Sequence, residues 1–423
     1  MIVKETDVDF IGSIPVHWEV VPVKYFSTFR MGQTILKEDL IENGKFPVYS
    51  ATEKDHYFGS INNPQFILDE GDIVIPARGN SIGHIKLVHE KAVSTQTTIA
   101  NFVDQNKVSS KFLFYFYKAF RENLFPYDNT AIPQITVEKI KDNKVALPPI
   151  SEQTHIADFL DRKTAQIDEI IAKKEKMLAL LDEKKKAVIN EAVTKGLNPN
   201  AKMKDSGIEW IGEIPENWEV SKIKFCSGIQ GRIGFKGYAK DDIVGEEEGA
   251  LTLGAKHINK QNELDLSSPE YLSWEKYYES PEIMVYEGDI IFTQRGSLGK
   301  VCLIKNDIGD ATINPSMVIL RAYDNINKEF LYNWLTADYI QNNVSLIQSN
   351  TAVPMISQFQ LGNFEILKPT LEEQHQINEF VIRSKENFNT LIHKIELQIE
   401  KLKEYRQSII SEAVTGKIDV KKL

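Results

Sequence analysis

The chain has 423 residues, enough for two or three domains, and with 42% hydrophobic and 26% charged residues each can bury its own core. That balance excludes a disordered chain, a collagen-like fibre and a small disulfide scaffold, and the two cysteines, Cys226 and Cys302, exclude an all-cysteine metal site and point to a reducing compartment. The net charge of −10 contains no basic segment: residues 1–150 carry 16 Lys+Arg against 18 Asp+Glu and residues 201–370 carry 16 against 24, so any contact with phosphates must come from local loops.

Taken in chain order, the elements occur twice. IGSIPVHWEV (11–20) returns as IGEIPENWEV (211–220), identical at seven of ten positions. A strand-like run, Asp72 to Pro76, leads into Arg78-Gly79-Asn80-Ser81, and Asp289 to Phe292 leads into Arg295-Gly296-Ser297. Phe/Tyr-rich helical segments at 111–120 and 329–338 precede the turns NTAIPQI (129–135) and NTAVPMI (350–356). A strand at Lys144 to Leu147 closes the first unit. PPISEQTHI (148–156) and PTLEEQHQI (369–377) then open two segments of equal length, ending in NEAVT (190–194) and SEAVT (411–415). The order is kept throughout and the offset grows from 200 to 221, which marks a tandem repeat. Seventeen residues are extra in the second copy between Val220 and Glu287, so that stretch tolerates change while the closing segments hold their length.

The closing segments read as long helices. Ser151 is the expected N-cap of the first, and Thr370 with Glu373 form a capping-box pattern in the second. Leu160, Ile167, Lys174, Leu181 and Val188 fall seven apart, as do Val381, Phe388, Ile395, Leu402 and Ile409. A second column holds Ile156, Ile170 and Met177, matched by Ile377, Leu391 and Gln398. Heptads with charged intervening positions predict a coiled-coil seam, antiparallel because each helix follows its own globular unit. At ~1.5 Å per residue the rod spans roughly 65 Å. The expected fold is α+β: globular units at 1–147 and 198–368, long helices that space them at 148–197 and 369–423, related by an approximate two-fold. Neither a phosphate-binding Gly-rich loop nor a catalytic constellation is found. The longest apolar run falls short of the roughly 20 residues of a membrane span, so a soluble, cytoplasmic chain with no membrane partner is expected.

What remains suits recognition. Arg78 and Arg295 can reach a phosphate or a guanine edge; the alternative is a structural turn in which they pair with Asp72 and Asp289. The segment GRIGFKGYAK (231–240) places Arg232, Lys236 and Lys240 around Phe235 and Tyr238.

The repeated Trp-Ile-Gly-Glu-Ile-Pro-type stretch (KDSGIEWIGEIPENWEV at 204–220, KETDVDFIGSIPVHWEV at 4–20), the NTA(I/V)P turns and the two Pro-x-x-x-Glu-Gln helix starts resemble the specificity subunit of Type I restriction–modification systems, over essentially the whole chain. The first copy departs from it, with Phe10 where the second has Trp210 and Ser13 where it has Glu213. The resemblance implies a non-catalytic, DNA-binding subunit whose two target-recognition domains each read half of a bipartite site in double-stranded DNA. It further implies that the helices dock two methyltransferase subunits and that restriction subunits join the larger complex. No cofactor is expected in this chain; S-adenosylmethionine and ATP with magnesium are expected on the partners. Identical positions should then serve packing or the partner that comes twice, and base readers should lie where the copies diverge. The candidates are Gln33, Thr34, Lys54, His56, Tyr57, Asn80 and Gln96 in the first unit. Arg232, Lys236, Tyr238, Lys256, His257 and Gln294 are the candidates in the second. A tandem ligand-binding scaffold without DNA is the alternative that the acidic balance suggests.

Overall fold

A computed structural model describes residues 2–53, 56–127, 133–232, 237–349 and 354–420. By internal contact the chain divides into two compact units, one of residues 1–176 with 395–423 and one of residues 177–394. The division falls inside the long helices and not at their starts, because both ends of each helix bury apolar residues in a globular unit.

In unit 1, β1 (Ser27–Met31), β2 (Ile73–Pro76), β3 (Lys86–Leu87) and β4 (Thr98–Val103) form an antiparallel sheet of order β1-β4-β2-β3. In unit 2, β5 (Ser227–Gly231), β6 (Ile290–Thr293), β7 (Val301–Leu303) and β8 (Met317–Ala322) repeat that topology in the order β5-β8-β6-β7. The inner strands β2 and β6 are mostly apolar runs because both faces are covered: Ile73, Val74 and Ile75 are fully buried, as are Ile290 and Phe292. Each sheet is followed by a helix, α1 (Ser110–Ala119) and α3 (Lys328–Leu335), whose aromatic face, Phe112 and Phe116 or Phe330 and Trp334, closes the core.

The divergent stretches build a second sheet. In unit 1 it has three strands, with Phe46–Tyr49 between Gly59–Ile61 and, in parallel, Val93–Ser94. In unit 2 it has four, and the added strand, Ile243–Val244, pairs with Tyr271–Ser273 within the stretch that carries the extra residues. Length variation is thus absorbed at one sheet while the framework sheet keeps its register.

The helices are α2 (Ile150–Lys195) and α4 (Leu371–Val414). Ser151 lies inside the first turn of α2 and not at its cap, since the helix already includes Ile150. Thr370 does accept from the Glu373 amide at 3.3 Å, while the Glu373 carboxylate is taken by Asn217 at 3.4 Å. Every predicted seam position is shielded: Leu160, Ile167, Val381, Ile395 and Ile409 are buried, and Leu181, Val188, Phe388 and Leu402 are half-buried. In the second column Ile156 and Ile377 are buried as expected, but beyond them it is displaced by one residue. Ile170, Met177 and Leu391 are 43%, 51% and 48% exposed, and the shielded column runs instead through Thr164, Ile171, Leu178 and Lys185, and through Lys385, Ile392, Ile399 and Arg406. The resulting alternation of three and four residues is the seam of a coiled coil, which one heptad column leaves undetermined. Within unit 1 the helices run antiparallel: Lys174 Nζ donates to Gln398 at 2.6 Å and Arg406 Nε to Asp168 at 2.8 Å. Within unit 2, Lys185 Nζ donates to Asn389 at 2.8 Å.

The duplicated motifs are joints. Gln153 and Gln374, from the two Glu-Gln pairs, are buried and accept from the N-cap amides of α1 and α3, Ser109 and Asn327, each at 2.7 Å. Trp18 and Trp218 are fully buried against the glycines that end α4 and α2: the Cβ direction of Gly416 meets Pro15 and Trp18, and that of Gly196 meets Trp218 and Pro215.

One joint is not duplicated. Lys385 stands where unit 1 has Thr164; its Nζ donates to Asn333 Oδ1 at 2.9 Å and lies 5.1 Å from the Tyr332 ring centre. Burial first, then the charges of Lys185 and Lys305, lower its pKa from 10.5 to about 8, against the pull of Glu263. Because the folded value is the lower one, the unfolded chain holds more protons between the two, and unit 2 gains stability as the pH rises from about 8 towards 10.5. Lys385→Met removes the buried charge but leaves the buried Asn333 Oδ1 without its donor, so the two effects offset at pH 7 and the variant should chiefly flatten the alkaline rise of unit 2. Melting curves of both proteins at pH 7 and pH 9 read this directly; equal pH dependence in both would refute it.

Candidate nucleic-acid interface

In each unit one end of the framework sheet gathers a duplicated turn and the divergent loops. Beyond β2 the Ala77 amide donates to Thr97 O at 2.9 Å, and the chain turns through Arg78 and Gly79, whose φ of 75° is left-handed and suits glycine. The end of the NTAIPQI segment lies beside this turn: Gly79 N donates to Pro133 O at 3.0 Å and Ile135 N to Ala77 O at 2.9 Å, with Arg78 bridging Gln134. Unit 2 repeats the clamp, with Ile356 N donating to Gln294 O at 3.0 Å and Arg295 bridging Met355.

Arg78 and Arg295 are exposed, and neither pairs with the acid of its strand. Asp72 is buried, which raises its pKa, and its oxygens accept from the amides of Val103 and Asp69, each at 2.9 Å. Asp289 is taken by Arg321 at 2.9 Å. Among the described residues Arg78 has no ion pair, and Arg295 Nε lies 3.0 Å from Met355 Sδ.

The candidate readers divide by accessibility. Thr34, His56, Tyr57, Asn80 and Lys256 are exposed, Gln96 and Tyr238 are half-buried, and Lys54 and Lys236 lie outside the described residues. Tyr57 OH donates to Glu90 at 2.9 Å and Lys256 pairs with Glu270 at 3.0 Å, so both are tethered side chains rather than loose ones. Four candidates are corrected from readers to supports, because each is buried and makes hydrogen bonds inside its unit. Gln33 accepts from the Gln65 amide at 2.8 Å, and Gln294 Nε2 donates to Pro315 O at 3.2 Å. His257 Nδ1 accepts from Gly254 N at 2.9 Å and its Nε2 faces Ser268 O at 3.0 Å. Arg232 is buried, donates to Thr312 Oγ1 at 3.3 Å and lies 5.2 Å from the Tyr238 ring centre. Gln96 accepts from Ile35 N at 3.2 Å but, being half-buried rather than buried, stays among the candidate readers.

Two supports escaped the sequence reading. Lys86 is buried on β3 and its Nζ reaches Thr52 Oγ1 at 2.6 Å and Ser50 O at 3.3 Å, anchoring the loop that leads to His56 and Tyr57. Lys300, just before β7, holds Ala255 O at 2.9 Å and Ile258 O at 2.8 Å across the turn that carries Lys256. Their one signal in the sequence is a single cation next to or inside a short apolar strand (HIKLV at 84–88, GKVCL at 299–303).

A family profile described as the Type I restriction modification DNA specificity domain matches residues 15–179 and 258–401. Among curated proteins, the Type I restriction enzyme MjaVIII specificity subunit of Methanocaldococcus jannaschii is 28% identical, over 97% of this chain and 95% of its own. The Type I restriction enzyme EcoBI specificity subunit of Escherichia coli is 23% identical, over 88% of this chain and 78% of its own. Among solved structures, a chain from work on complex assembly and conformational transition of the type I R-M system superposes with a TM-score of 0.73 at 15% identity, covering 96% of this chain and 99% of that one. The HsdS subunit from Thermoanaerobacter tengcongensis gives 0.55 at 16% identity, over 96% and 98%.

Proposed function

The chain belongs to the family of Type I restriction–modification DNA specificity subunits, and from that membership we propose that each unit reads one half of a bipartite DNA site. Target recognition is its role in the restriction–modification enzyme, and the chain is the specificity subunit, not a catalytic one. The observation that carries the half-site reading is the same sheet and the same Arg-Gly turn in both units, bordered by loops that differ. Two different half-sites require differing surfaces on a common frame. Thr34, His56, Tyr57, Asn80 and Gln96 are the candidates in unit 1, and Tyr238 and Lys256 in unit 2, together with Lys54 and Lys236, which lie outside the described residues.

The partners are methyltransferase and restriction subunits, with two methyltransferases on the helices, where Ile170 and its repeat Leu391 are exposed apolar residues outside the seam. S-adenosylmethionine, ATP and magnesium belong to those subunits. No described helix is long and apolar enough to cross a membrane; a DNA target is what supports a cytoplasmic complex.

The test is the adenine methylome of a methylation-free host carrying this chain and a compatible methyltransferase. A new bipartite motif is expected, and exchanging residues 1–147 for those of another specificity subunit should change one half and keep the other. Deleting a heptad from each helix should shorten or abolish the recognised gap. A soluble complex that leaves no motif would favour a scaffold without DNA.

A further inference from the structure

We infer that Arg78 and Arg295 are a duplicated contact to DNA phosphates, one per unit, that holds the duplex without reading it; this rests on the DNA-recognition role proposed above. Two unlike half-sites cannot be read by the same residue in the same turn. What they share is the phosphodiester backbone, which carries no base information and fixes register and orientation.

Four observations favour that ligand. Both guanidinium groups are exposed at equivalent turns. The carboxylates that could neutralise them are engaged elsewhere, Asp72 by two backbone amides and Asp289 by Arg321. Both turns carry a left-handed glycine, Gly79 at φ 75° and Gly296 at φ 71°, and nothing lies within 4 Å of the Cβ direction of either, so the backbone is open to close approach. The turns also border the divergent loops: Ala77 N meets Thr97 O at 2.9 Å, beside Gln96, and Arg295 N meets Ser316 O at 3.2 Å. A partner protein that comes twice would also favour duplicated residues, but a contact at this edge stands beside the segments that must face the bases. A guanidinium there can take a phosphate through two parallel N–H donors.

The experiment uses the assembled complex with its methyltransferase and duplex oligonucleotides at several salt concentrations. For Arg78→Gln, Arg295→Gln and the double variant, the slope of log K against log salt should become shallower by about 0.9 per arginine removed. Affinity should fall by the same factor for cognate and non-cognate DNA, and the methylated motif should stay as it was. Arg78→Lys, which keeps the charge, should restore the slope. With the unaltered protein, single methylphosphonate substitutions should find one phosphate per half-site whose neutralisation reproduces the arginine variant. Three outcomes would overturn the inference. Loss of methyltransferase assembly would make the contact a protein carboxylate, a motif relaxed at one position would make it a base edge, and an unchanged slope would leave only a turn. An unaltered complex without salt-dependent DNA binding would instead remove the recognition role beneath it.

Discussion

Replacing Trp218 by alanine should destabilise unit 2 by about 3–5 kcal/mol, and Trp18→Ala should do the same in unit 1. Both indoles are fully buried, and Trp18 meets Phe112 edge-on at 6.4 Å between ring centres. Neither indole N–H has a hydrogen-bond partner among the described residues, so Trp→Phe at either site loses packing area alone and should cost distinctly less. The glycines beneath them give an independent check. Gly416 has φ 70° and its Cβ direction runs 2.6 Å from Pro15 Cδ and 3.0 Å from the Trp18 ring, whereas the direction at Gly196 stays 3.2 Å from the Trp218 ring. An alanine costs roughly 1–2 kcal/mol for the left-handed backbone at both, and at Gly416 overpacking adds about 1–3 kcal/mol. Gly416→Ala should therefore be the worse of the two. Calorimetric unfolding of the full chain measures all of these, and a Trp218→Ala loss below about 1 kcal/mol would show that the joint is not what holds the unit. Unit 1 adds a topological consequence: its Trp18 is completed by residues at the other end of the chain, so truncation after Lys394 should unfold unit 1 before unit 2.

The repeat made most of this legible. Matching segments gave the two units, one framework strand in each (β2 and β6) and the long helices, because identical residues at a growing offset mark shared packing, and the extra residues of the second copy fell where a strand was added. What could not be read was the direction of side chains. Gln33, His257 and Gln294 look like base readers because they are polar and lie in divergent loops, yet a loop that builds its own sheet needs polar groups to satisfy its backbone, and these supply them. Arg232 is a cation in a glycine-rich stretch, and only the fold puts Ser280, Thr312 and the Tyr238 ring around it. The choice between Asp289 pairing with Arg295 or with another arginine depended on a strand neighbour, Arg321, that comes 32 residues later. The displaced seam has the same origin, since Ile170 and Ile171 are both apolar and one heptad column cannot choose between them.

The glutamine joint supports the second large expectation. Gln374 is fully buried; its Oε1 accepts from Asn327 N at 2.7 Å and its Nε2 donates to Pro369 O at 2.9 Å. Gln153 makes the same pair with Ser109 N at 2.7 Å and Pro148 O at 2.8 Å. Each therefore satisfies a backbone group at both ends of a joint: the N-cap amide of the unit's helix, and the carbonyl of the proline before a long helix. Leucine fills nearly the same volume, so Gln374→Leu leaves the packing in place and orphans one donor and one acceptor. With about 1–3 kcal/mol for each buried unsatisfied group, unit 2 should lose roughly 2–6 kcal/mol. Gln153→Leu should take the same from unit 1, and each variant should leave the other unit's transition where it was. Hydrogen exchange locates the effect: the Asn327 amide in one variant and the Ser109 amide in the other should lose their protection before the core strands of the same unit. If Gln374→Leu were neutral, water would have to reach both orphaned groups, and the joint would be an open hinge rather than a closed one.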